Sequence, residues 1–189
     1  MNLDEGHVAG KGLYYLFLGQ ILSLLAIIMP VFGVLALLAA GLLSLLGFYT
    51  LSKANEGYKT AFIIMLGAMA VEVIDILFAS GTGFLATACS FFSMFLNAMV
   101  IYYVCNTTSG LLYGRNYEVA EMGQKVWKGV ILFTAIDMIC IVLSIIPLID
   151  ILALVVRVIV WIAQAIVSIL YIVFLWKSQK VLRVNAGMR

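Results

Sequence analysis

The chain is predicted to be an all-α integral membrane protein, with six transmembrane helices arranged as three tandem helical hairpins in one membrane domain over residues 1–189. Three observations predict this. The 189 residues are 65% hydrophobic and 11% charged, with mean hydropathy +1.18, where a soluble domain is nearer half apolar and a quarter charged. Six apolar runs reach the length of about 20 residues that a helix needs to cross a bilayer. Finally, one outline recurs three times. Glu5-Gly6, Glu56-Gly57 and Met122-Gly123 each open an apolar stretch, and 24 residues after each glycine stands a helix breaker, Pro30, Gly81 or Pro147.

The runs follow in order. The first, 12–29, lies between Lys11 and Pro30. Its leader carries Asp4 and Glu5 and no segment suited to cleavage follows, so it is expected to be a membrane helix rather than a signal peptide. Run two, 31–51, restarts at Gly33-Val34-Leu35-Ala36 and ends before Lys53. Run three, 60–79, climbs from Lys59 to the turn Ser80-Gly81-Thr82-Gly83, and run four, 84–105, restarts at Gly83-Phe84-Leu85-Ala86. Run five, 128–147, ends at Pro147, and run six, 150–176, starts with Asp150-Ile151-Leu152-Ala153 and ends at Trp176-Lys177. Proline disfavours helix at the residue before it, which places a turn at each proline. Backbone groups have no partner in lipid, so the runs are expected to be helices. The segment 106–127 is expected to be the longest link. Its Val119, Met122 and Val126 have the spacing of a short interfacial helix. The repeats are expected over about 4–53, 55–108 and 121–182.

Net charge is +2, and its distribution sets the expected orientation. Ten of the eleven Lys and Arg fall in four segments: Lys11; Lys53 and Lys59; Arg115, Lys125 and Lys128; Lys177, Lys180, Arg183 and Arg189. The turns near 30, 80 and 148 have none. The positive-inside rule then predicts a multi-pass protein of the cell membrane with both termini cytoplasmic. The lipid bilayer is its first expected partner. The basic residues serve as topology signals, not as a nucleic-acid footprint. Cys89, Cys105 and Cys140 all lie in runs, so no disulfide framework is expected.

Three hairpins of like orientation predict a pseudo-threefold bundle related by rotation about the membrane normal. The proline-punctuated six-helix layout resembles that of small bacterial acid-resistance membrane proteins, a likeness of arrangement that implies no activity. Ala36, Ala40 and Ser44 form a stripe of small residues, and Ala86 and Ser90 another. Such stripes allow close helix approach, so helices two, four and six are expected to form an inner ring.

Ionisable residues inside a span are costly and usually face protein or water. Four stand out: Glu72 and Asp75 in run three, Asp137 in run five and Arg157 in run six. At about 1.5 Å of rise per residue, Glu72 lies about 20 Å above Lys59, and Arg157 about 10 Å below Asp150, at a similar depth. Asp137 lies about 13 Å above Lys128, near the midplane. Arg157 is therefore expected to point inward and pair with Glu72, with Asp75 or Asp137 nearby. Gln20, Asn97, Gln164, Asp150 and Trp161 are expected as secondary lining, with Asp150 capping the last helix.

Two readings follow. In one, the charges and amides fix the bundle. In the other, they line a path for a proton, a cation or a small cationic solute, because three acids face one Arg. The first expected function is transport or conduction of such a species. The alternative is a non-catalytic partner subunit or assembly factor of a larger membrane complex, with a membrane protein or a second copy as partner. No enzyme, cofactor or metal site is expected: His7 is the only histidine, and no HExxH, Ser-His pair or phosphate loop is present.

Overall fold

A computed structural model describes residues 3–28, 33–79, 83–144 and 150–184 of the chain. Six helices account for nearly all of them: α1 (Leu3–Ile28), α2 (Gly33–Ser52), α3 (Glu56–Ile74), α4 (Phe84–Leu112), α5 (Tyr117–Leu143) and α6 (Asp150–Val184). Each holds a stretch long and apolar enough to cross a membrane. The outer surface is correspondingly oily. Val34 is 72% exposed, Ile151 78% and Phe84 90%, a density of bare apolar side chains that water does not tolerate over so large an area. Pro30, Gly81 and Pro147 lie outside the described residues, so the turns that they are expected to make are not described.

Consecutive helices pack antiparallel. In the first hairpin the approach is glycine-mediated. A Cβ added at Gly19 would meet Ser44 Oγ at 2.7 Å, and one at Gly47 would meet the backbone nitrogen of Leu16 at 3.0 Å. The stripe containing Ala40 and Ser44 thus faces α1, its partner in the hairpin. In the second hairpin Tyr58 lies beside Thr108, and Glu72 beside Ser93. In the third, Gly123 packs under Phe174, and Asp137 meets Arg157.

The helices form one ring in chain order, closed by α1 against α6, and the main contact across it is α4 on α6. The expected inner ring of α2, α4 and α6 is not formed. Each helix is held chiefly by its two sequence neighbours, with α1 and α6 completing the circle. The reason is local: short connections leave consecutive helices side by side, and the small residues are used inside the hairpins.

The segment 106–127 also departs from expectation. It forms no separate interfacial helix. α4 runs through to Leu112 and α5 begins at Tyr117, leaving a turn at 113–116. There Gly114 adopts φ +89°, a conformation that glycine tolerates without strain. The Asn116 side chain caps α5 by accepting from Val119 N–H at 3.1 Å, and Asn55 caps α3 in the same way. The polar residues of this stretch find partners in the bundle. Ser109 donates to the carbonyl of Ala120 at 2.9 Å, and the Thr108 and Tyr58 hydroxyls share a buried bond of 2.8 Å.

The packed core lies toward this end of the ring, the end bearing the 53–55 and 113–116 turns (the link end). Leu13, Leu51, Tyr58, Val104, Leu112, Phe174, Leu175 and Leu182 are all fully buried there. Toward the opposite, turn end the fully enclosed side chains give way to small ones, Ala40, Ala68, Ala86 and Ala153. The charged residues of the spans lie in that less filled half.

Candidate functional site

The site begins with the seam between α5 and α6. Asp137 and Arg157 lie on facing stretches of the two helices, and Arg157 Nε donates to Asp137 Oδ1 at 3.0 Å. Asp137 is 4% exposed, the most buried acid among the described residues. Arg157 is half-buried, with its guanidinium 5.3 Å from the centre of the Trp161 ring, within cation–π range. The expected pairing of Arg157 with Glu72 is not made. α3 and α6 are not neighbours in the ring, so Arg157 takes the acid on the helix beside it.

Glu72 and Asp75 stand on the other side of α4. Glu72 accepts from Ser93 Oγ at 3.3 Å, and Ser93 in turn accepts from Asn97 Nδ2 at 3.4 Å. Asp75 opens a π turn, Asp75–Ala79, that ends α3. Such turns cluster at functional sites in helices. One Asp75 oxygen, Oδ1, is buried with no hydrogen-bond partner. Neither Glu72 nor Asp75 has a basic partner among the described residues. One positive side chain thus balances Asp137 while two carboxylates stay uncompensated.

Two cavities surround these groups. One, of about 250 Å³, lies between α3 and α4 and is lined by Val71, Glu72, Asp75, Cys89, Ser90, Ser93 and Met94. The second, of about 320 Å³, lies between α4, α5 and α6 and includes Asn97, Thr134, Asp137, Gln164 and Ser168, with Met94 and Val167 among its apolar walls. Its volume falls in the range of small-molecule sites. Asn97 and Gln164 are therefore placed in the site, and Trp161 touches it through Arg157. Gln20, on α1, lines neither cavity. Asp150 begins α6, but its side chain lies outside the described residues, so the expected cap is not described. Among the described residues no group of three His, Cys, Asp or Glu stands together to hold a metal ion.

Ser93 and Met94 join the site only through the fold. Ser93 precedes Asn97 by four residues, the spacing that puts both on one helix face, and that signal was available. Met94 carried none, since a methionine in an apolar run is indistinguishable from core.

Six long apolar helices and an oily exterior fit a multi-pass helical membrane protein. Compared with known protein families, curated proteins and solved structures, the chain has no match.

Proposed function

We propose that this protein moves a proton, a cation or a small cationic solute across the cell membrane, with both termini cytoplasmic and the acid-lined cavity as its binding point. One observation carries the reading: Glu72 and Asp75 share a cavity and have no cationic partner among the described residues. Glu72 is exposed and Asp75 half-buried, with one Asp75 oxygen enclosed; carboxylates at membrane depth are costly and commonly mark ion or solute paths. Asp137 differs in being already matched by Arg157. On this reading the α5–α6 pair is the fixed element and the α3–α4 acids are the exchangeable one.

The orientation rests on the basic segments of the sequence, which gather at the link end. The pseudo-threefold repeat belongs to the same proposal: hairpins 12–50, 60–104 and 128–172 derive from one unit, and the acids are later departures confined to the second and third copies.

Reconstitution tests the function. Purified protein in liposomes loaded with a pH-sensitive dye, and separately with potassium or a small alkylammonium ion, should dissipate an imposed gradient. Glu72→Gln and Asp75→Asn should each remove most of that flux. A wild-type protein that passes none of these species overturns the reading. If it also co-purifies at fixed stoichiometry with another membrane protein, the partner-subunit alternative takes its place.

A further inference from the structure

The two cavities are not independent, because one side chain forms a wall of both. Met94 lines the α3–α4 cavity with Glu72, Asp75 and Ser93, and it lines the α4–α5–α6 cavity with Asn97 and Asp137. The polar groups around it are already continuous. Asn97 in the second cavity donates to Ser93 in the first, and Ser93 donates to Glu72. A line of hydrogen-bonding groups therefore runs along α4 from one cavity to the other, and Met94 is the side chain that both cavities share. Beyond the second cavity the way is closed on the link side. Ile101, Val130 and Val167 on its walls pack into the buried cluster that holds Val104, Tyr171 and Phe174.

We infer that the two cavities are successive compartments of one path and that Met94 is the movable partition between them. Methionine suits the role. It is unbranched, has three rotatable bonds, and fills irregular gaps without a fixed shape, so one rotamer closes the gap and another opens it. Rotamer changes of this kind occur in picoseconds to nanoseconds where the side chain is free, fast enough not to limit transport. A leucine at the same place would fill similar volume but swing less. The compartments then differ in task. The first, with its unpaired acids, gathers the cation. The second, where Asp137 is neutralised by Arg157, offers uncharged polar groups and releases it more readily. This assignment rests on the proposed transport function, but its test does not need flux.

The test is thiol accessibility. Thr134 lines the second cavity only. Thr134→Cys is placed in a chain whose Cys89, Cys105 and Cys140 are replaced by Ala. Its modification by a small cationic methanethiosulfonate reagent is followed by mass spectrometry in liposomes. Opening the partition with Met94→Ala should speed modification at position 134 by about tenfold, the factor that lowering a barrier by about 1.4 kcal/mol gives. Met94→Phe should slow it. Met94→Leu serves as the folding control, since it keeps the volume. A native Cys89, restored alone, lines the first cavity and should react at one rate in all three backgrounds. Equal rates at position 134 with Met, Ala and Phe at 94 overturn the partition, whether or not the protein conducts. So does a Thr134→Cys chain that already reacts as fast as Cys89, because the second cavity would then have its own entrance. Absent flux with a Met94-dependent labelling rate would instead refute the transport reading and leave the connected cavities standing.

Discussion

Arg157→Ala tests the Asp137–Arg157 pair most directly. The side chain of Asp137 is 6% exposed and that of Arg157 28%. The pair is unequal: Asp137 has given up nearly all of its solvent, whereas Arg157 keeps a partly open guanidinium on a long stem that can swing toward a polar edge. Removing one partner of a buried pair typically costs 3–5 kcal/mol, because the other is left charged and unmatched. Arg157→Ala strands the buried acid, so its loss belongs at the low end of that range, about 3 kcal/mol, reduced from the top by the partial exposure of the pair. Asp137→Asn strands an arginine that can relocate and keeps a polar group opposite it, so its loss should be smaller, about 1–2 kcal/mol. Replacing both, Asp137→Leu with Arg157→Met, removes attraction and desolvation together and should come within about 1 kcal/mol of the wild type. For a chain of this size, about 3 kcal/mol corresponds to a drop on the order of 10 °C in melting temperature. Thermal melts in one detergent, for the two single variants and the double, provide the comparison. Additive losses in the double, or a milder loss for Arg157→Ala than for Asp137→Asn, would refute the reasoning. Adding Glu72→Gln to Arg157→Ala should rescue nothing, since Glu72 is not the partner.

Further outcomes follow from the packing. Gly19→Leu should separate α1 from α2 and lower stability by about 1–3 kcal/mol, since even a Cβ there would sit 2.7 Å from Ser44 Oγ. Gly41→Ala on the same hairpin meets nothing within 4 Å and should stabilise by about 0.5–1 kcal/mol in the same melt. Tyr58→Phe leaves the buried Thr108 hydroxyl without its bond and should cost about 1–3 kcal/mol, part of which Thr108→Val should restore; equal stability of the two variants would contradict this. In right-side-out vesicles an impermeant thiol reagent should reach cysteine at Phe84 but not at Lys53 or Arg115, and the reverse pattern would overturn the orientation.

The helices were legible because span length and hydropathy follow from the bilayer, and the described residues of each of the six runs are helical almost throughout. The limits of α4 and α5 were not. Asn106, Thr107, Thr108 and Ser109 resemble a loop in sequence, yet they continue α4 because Tyr58 and the Ala120 carbonyl satisfy Thr108 and Ser109. Those partners lie on other helices and leave no mark in the local sequence. The candidate site divides in the same way. Depth is a one-dimensional quantity that residue count supplies, yet it placed Arg157 level with Glu72 rather than with Asp137, to which it donates. Choice of partner depends on the order of helices around the ring, and no periodicity encodes that order. An ionisable residue such as Asp137 is therefore conspicuous in its run, whereas its pairing with Arg157 is written only in the ring order. The π turn at Asp75 likewise leaves no compositional trace.

The ring closes between its first and last helices. Gly10 lies against the Arg183 stem and the Gln179 carbonyl, and the Arg183 guanidinium is 5.4 Å from the Tyr14 ring. During synthesis α1 emerges early and meets α2 at once, but the other flank of α1 waits until the ribosome has delivered α6. Until then the glycine face at Gly10 is bare, and any passing helix with a small or flexible surface can occupy it. The seam is the last joint made and the first that a stalled or shortened chain lacks.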